Sequence, residues 1–299
     1  VKTTERQRIW TGLALVGVLS VAMIGAASAS GGSNRTARER TFYGPAQRLG
    51  NGTVQMYAVY KGKSPRTLGY RLTANALKGL PTSGSDGKLC YPIERDGKTT
   101  VECVQEYGSA LALPERATRD KAFPFTWALL TWDPKGHDPP EIYGVPHFDF
   151  HFYMQSEAEV NAIATGPCPG LMNCEDLKRA RIPVPDKYKP DVYHDMGAVV
   201  PGMGNHLMDM DSPEFHGKPF TQTFMYGAFD GKITFYEPMI TKAWIEGLAA
   251  GRKGSCTAFP QPRAWKKAGW YPTAYCLGYQ AKSKVYTISI TDFAYRKAS

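Results

Sequence analysis

The run His147-Phe148-Asp149-Phe150-His151-Phe152-Tyr153 constrains this chain more than any other stretch of its sequence. Polar and aromatic side chains alternate with period two, the period of a β-strand. Read as a strand, the run puts His147, Asp149 and His151 on one face and Phe148, Phe150 and Phe152 on the other. The phenylalanine face is apolar enough to be a core wall. A helix would bring His147 beside His151 but scatter the three phenylalanines. Two imidazoles with a carboxylate between them make a face suited to a cation or to proton transfer.

Strand geometry limits what that face can hold. Residues two apart lie ~6.7 Å apart along the chain, and residues four apart ~13 Å. His147 with Asp149, or Asp149 with His151, can share an ion; the two histidines cannot unless the strand bends. Further ligands must come from elsewhere. His206 closes the Gly-rich turn Pro201-Gly202-Met203-Gly204-Asn205-His206. Glu237 follows an expected strand over residues 233–236 and precedes Pro238, which places it at a sheet rim. The expected metal ligands are therefore His147, Asp149, His151, His206 and Glu237. His137, in the loop before the strand, is an alternative or supporting member. His194 and His216 lie in polar loops and are weaker candidates.

Two or three histidines with one carboxylate suit a divalent Zn, Fe, Mn or Cu ion. Met203, Met208 and Met210 near His206 keep copper among these. The competing expectation is a strand at a wet sheet edge or subunit interface that uses its His and Asp only for hydrogen bonds. The protein would then be a non-catalytic, envelope- or stress-related oligomeric binding protein. The sequence has no G-x-S-x-G, H-E-x-x-H or P-loop motif, so it assigns neither catalytic residues nor a substrate.

The first 29 residues read as a secretory signal peptide. Arg6 and Arg8 precede an uncharged apolar run over residues 9–25, and Ala27-Ser28-Ala29 is a small-x-small cleavage site. The only membrane contact expected is through this segment, if it stays uncleaved. Residues 30–40 read as a polar, flexible leader and residues 41–299 as one secreted β-rich domain. The expected location is periplasmic or secreted.

Six cysteines fit an oxidising compartment. They allow fifteen pairings. The simplest joins neighbours: Cys90 to Cys103, Cys168 to Cys174 and Cys256 to Cys276. A cysteine metal cluster is the rival, but no C-x-x-C is present. The net charge is +9, yet Lys and Arg are scattered, so no nucleic-acid partner is expected. A small ligand or an envelope component remains as a partner.

Turn signals and alternation divide the domain into many short strands. Asn51-Gly52 and Asp230-Gly231 mark hairpins, and Asp96-Gly97 turns an inserted disulfide hairpin over residues 81–108. Short helices are expected over residues 73–80, from the capping box at Ser156-Glu157-Ala158-Glu159 to about residue 164, and over residues 241–250. The pattern predicts a β-rich α+β fold, an antiparallel sandwich or barrel with a few short peripheral helices.

Several phrases occur together in this chain. They are Tyr43-Gly44-Pro45-Ala46, Gly136-His137-Asp138-Pro139-Pro140, the His147 strand, Met203-Gly204-Asn205-His206, Ser212-Pro213-Glu214-Phe215 and Glu237-Pro238-Met239-Ile240-Thr241. With them, residues 41–299 resemble a family of secreted bacterial proteins of unknown function, one of which is known from Thermus. The resemblance implies export, a β-rich fold and a homo-oligomer. A looser similarity links the His147 strand and the turn into His206 to cupins, β-barrels that hold one metal. The cupin pair is H-x-H, and here Asp149 stands at the second position, so the similarity does not extend to a cupin-type oxygenase activity.

Overall fold

The computed structural model describes residues 37–299. The signal segment and residues 30–36 of the expected leader lie outside the described residues. In chain order the strands begin β1 (Glu39–Leu49), β2 (Gly52–Lys61), β3 (Ser64–Thr73), β4 (Cys90–Arg95), β5 (Lys98–Cys103) and β6 (Tyr107–Ala112). They continue with β7 (Trp127–Asp133), β8 (His147–Tyr153), β9 (Thr165–Cys168), β10 (Tyr193–Val200), β11 (Gly204–Asp209) and β12 (Gln222–Phe229). The last six are β13 (Lys232–Thr241), β14 (Ser255–Ala258), β15 (Gly269–Tyr271), β16 (Ala274–Gln280), β17 (Val285–Thr291) and β18 (Ala294–Arg296). The helices are α1 (Glu115–Thr118), α2 (Pro140–Tyr143), α3 (Glu157–Asn161), α4 (Cys174–Ala180) and α5 (Lys242–Ala249).

Two antiparallel sheets form an open sandwich rather than a closed barrel. One has six strands in the order β1-β2-β3-β17-β16-β14, the other seven in the order β10-β11-β12-β13-β8-β7-β6. The alternation of β2 turns Val54, Met56, Ala58 and Tyr60 inward. Phe148, Phe150 and Phe152 of β8 meet them in the same core, as their spacing requires. Tyr70 of β3 packs edge-on to Phe150 and Phe152, with ring centroids 5.1 and 5.2 Å away. Its hydroxyl donates across the sandwich to the carbonyl oxygens of His151 (2.6 Å) and Leu129 (2.9 Å). The face of the seven-stranded sheet that turns away from this core carries His147, Asp149 and His151.

All seven residues of β8 are buried. The strand lies inside its sheet, between β13 and β7, not at a wet edge. That placement departs from the expectation of an exposed polar strand.

Cys90–Cys103, Cys168–Cys174 and Cys256–Cys276 are disulfides, and no described cysteine is free. The first joins directly opposed residues of β4 and β5, which form a separate hairpin. The third joins opposed residues of β14 and β16. Among the described residues, no helix is long and apolar enough to cross a membrane.

Some local expectations shift. β1 begins at Glu39, inside the stretch read as leader, because Glu39 and Arg40 pair with Lys61 and Tyr60. Residues 73–80 hold only a 3-10 turn, Ala74–Leu77, before the chain straightens at Lys78. The capping box at Ser156 is present, with Ser156 and Glu159 bonding reciprocally, but α3 ends at Asn161. α4 follows the Cys168–Cys174 loop unannounced, capped by the Asn173 side chain on the Glu175 and Asp176 amides.

Glu237 is the most consequential shift. It sits in mid-strand in β13, buried, and not at a rim. Pro238 lacks an N–H, and the ladder to β8 lapses there. Tyr236 still pairs with Phe152, and Met239 with Asp149, so the strand continues through the gap in register.

Candidate metal centre

The site grows out of register. β7 sets Leu129 opposite His151, Thr131 opposite Asp149 and Asp133 opposite His147. β13 brings Glu237 beside His151 on the other flank. His206 lies within β11 rather than in the turn before it, paired with Ala198 of β10 on one side and Gly227 of β12 on the other. The loop after β7 carries His137 back over the face. Gly136 makes that return possible, with φ of 72° and a position where a Cβ would overlap the Tyr143 carbonyl oxygen.

Two groups of ligand atoms result. In the first, His151 Nε2 lies 3.4 Å from Glu237 Oε1, and His206 Nε2 lies 3.5 Å from Glu237 Oε2. In the second, His147 Nε2 lies 3.4 Å from Asp149 Oδ1, and His137 Nε2 lies 3.8 Å from Asp149 Oδ2. Within each group one ligand atom per residue falls within 4.8 Å of the others. The expected ligands are thus all present on one face, but they divide: His147 and Asp149 belong to one group, His151, His206 and Glu237 to the other. His137 completes the second as a full member. His194 and His216 belong to neither.

Backbone carbonyls orient the imidazoles. His151 Nδ1 faces Leu129 O at 3.2 Å, His206 Nδ1 faces Ala198 O at 2.9 Å and His147 Nδ1 faces Val145 O at 2.6 Å. A carbonyl oxygen can only accept, so each ring carries its proton on Nδ1 and turns the Nε2 lone pair toward the carboxyl groups. Thr131 Oγ1 donates to Asp149 Oδ2 at 3.2 Å. His147 Nε2, His151 Nε2, Asp149 Oδ1 and Glu237 Oε2 are buried and have no hydrogen-bond partner within the protein.

Burial sets the charge states. It pulls His147 and His151 down to about 3 and His206 down to about 4, so the rings are neutral near pH 7. Burial, and then the nearby Glu106 carboxylate, push Asp149 up to about 8. Burial and the Asp149 carboxylate hold Glu237 and Asp133 well above the usual carboxylate range. The short His–carboxylate contacts are therefore not ion pairs. Each sets a neutral Nε2 lone pair against a carboxyl group, held either by a proton on that carboxyl or by a cation between the two atoms.

A cavity of about 580 Å³ opens on this face, lined by members of both groups and by Glu106, Asp133 and Lys135. Met203, Met208, Met225 and Met239 supply apolar wall, while Met210 is not part of it. No family model, curated protein or solved structure matches this chain.

Four participants escaped the sequence reading. Asp133 and Thr131 follow Leu129 at strand spacing on β7, so the same alternation that exposed the His147 face contained them. Glu106 lies in a loop with no periodic signal. Phe235 packs its ring 5.2 Å from both His151 and His206 and holds their orientation. It fits only because Gly227 opposite has no side chain: a Cβ there would overlap the Phe235 ring.

Proposed function

We propose that this protein binds a divalent metal ion between His151, His206 and Glu237. One observation carries the reading. Nitrogen and oxygen ligands bind zinc-like ions at roughly 2.0–2.2 Å, and at a tetrahedral angle two such ligands stand about 3.4 Å apart. The separations here are 3.4 and 3.5 Å. They are too long for ordinary hydrogen bonds, and a single proton on Glu237 serves only one of two imidazoles. Neutral Nε2 lone pairs with the opposite nitrogen bonded to a carbonyl are the usual state of a ligating histidine.

Two histidines and one carboxylate, with no thiolate, suit Zn, Fe or Mn, and copper also accepts imidazole. Three protein ligands beside a cavity match the open arrangement of catalytic rather than structural sites. A divalent ion there supplies a Lewis acid, which makes hydrolysis the simplest activity. The three disulfides support a life outside the reducing cytoplasm. So does the resemblance to secreted bacterial proteins, and we read the chain as an exported protein.

The test is metal content by plasma mass spectrometry on untagged protein from a secreted or periplasmic fraction. His206→Ala and Glu237→Gln variants are measured alongside. Near-stoichiometric metal, sharply reduced in both variants, is expected. A protein that holds no metal and takes up no Zn, Mn, Fe or Cu is instead a polar network closed by a protonated Glu237.

A further inference from the structure

We infer that the same cavity holds a second, more exchangeable divalent cation between His137, His147 and Asp149. The inference rests on reading this face as a metal site, and it adds a centre with its own ligands. Its geometry repeats the first: His147 Nε2 and Asp149 Oδ1 stand 3.4 Å apart, and both are buried with no partner within the protein. His137 supplies the third atom from above the sheet, 3.8 Å from Asp149 Oδ2.

One ion cannot serve both groups. His147 and His151 are four residues apart on β8, a strand distance of ~13 Å. Ligand bonds of roughly 2 Å do not span that. Two imidazoles on one straight strand, each with a carboxylate and a third ligand from a different element, define two centres.

Charge leads to the same number. Glu106, Asp133, Asp149 and Glu237 are buried carboxylates on or beside this face. Lys135 is the only Lys or Arg among the described residues lining the cavity, and it is exposed. Four carboxylates in a low-dielectric pocket need about four positive charges to ionise together, which two divalent ions supply. Asp133 and Glu106 then lie behind the ligands and orient or neutralise them.

The centres differ in access. His151, His206 and Glu237 all come from strands and are buried. His137 comes from a loop, and its side chain is 37% exposed. A ligand on an exposed loop can swing away, so the second ion exchanges faster and binds more weakly. It is also the ion that an incoming ligand reaches.

The experiment is a calorimetric titration of chelator-treated protein with Zn²⁺, repeated with Mn²⁺, and bound metal counted after dialysis. Wild type is expected to take two equivalents in two steps. His137→Ala, on an exposed loop and checked for folding by circular dichroism, should weaken only the second step, by tenfold or more. Asp149→Asn should remove that step, and His206→Ala should remove the tighter one. A wild type that saturates at one equivalent, unaffected by His137→Ala and Asp149→Asn but lost in His206→Ala, overturns the second centre and leaves the first. Two equivalents indifferent to His137→Ala and Asp149→Asn also overturn it, since the second ion then binds elsewhere. No uptake in wild type overturns both.

Discussion

At the scale of single residues, burial drives the imidazoles and the carboxylates in opposite directions, and the consequence is a stability that depends on pH. Asp149 has a folded pKa of about 8 against an unfolded value of about 3.9. The metal-free folded state therefore binds more protons than the unfolded chain, and stability falls as pH rises from about 4 to about 8. The histidines act oppositely: their folded values near 3 to 4 lie below the unfolded value of about 6.5. Their contribution is complete above that pH and is lost as pH falls toward the folded values. Above pH 6.5 the histidine effect fades over about one unit, and the carboxylate effect dominates up to about pH 8. Chelator-treated protein should lose on the order of 2 kcal/mol across that interval from Asp149 alone. Thermal melts at several pH values will show it, and bound Zn²⁺ should abolish the slope by holding the carboxylates ionised. A metal-free melting temperature that stays flat from pH 6.5 to 8 would contradict these charge states.

At the scale of elements, the centre depends on how β8, β11, β12 and β13 meet. Gly227 on β12 leaves room for the Phe235 ring, and that ring braces His151 and His206. Gly227→Ala should displace the ring and cost about 1–3 kcal/mol, the usual range for overfilling a packed site. It should also weaken metal binding, although Gly227 is not a ligand. Chemical denaturation together with a metal titration checks both effects; a variant that loses stability but binds metal normally would show that Phe235 does not orient the histidines. Much of β8 was legible beforehand, because period-two alternation survives any tertiary context that keeps the strand. Glu237 was misplaced because a proline reads locally as a stop. In the sheet, the pairing to β8 lapses at Glu237 and Pro238 while Tyr236 and Met239 on either side keep register with Phe152 and Asp149.

At the scale of the whole molecule, the two sheets divide the labour. The six-stranded sheet backs the core, and the seven-stranded sheet carries the chemistry on its far face. The Cys256–Cys276 bridge ties β14 to β16 in the six-stranded sheet. It closes a loop of 20 residues, so a Cys256→Ala/Cys276→Ala variant should lose about 3 kcal/mol. Metal stoichiometry should not change, because neither strand contributes a ligand. Scanning calorimetry and metal analysis of this variant test the separation, and a loss of bound metal in still-folded protein would refute it.

By itself, the sequence determined what neighbouring residues settle among themselves. The alternation in β8 set one face against core and the other toward ligands. The turn residues marked the hairpins, and each cysteine found a partner nearby in the chain. Only the tertiary structure decided how the ligands are shared. The register of β13 on β8 and of β11 on β12, and the return of the His137 loop, divide one list of candidates into two groups. Those pairings join residues far apart in sequence, and register between distant strands is chosen by packing on both sheet faces at once. No local pattern carries that information. The same holds for Glu106, which lies in a loop and gains its meaning from the buried carboxylates it faces.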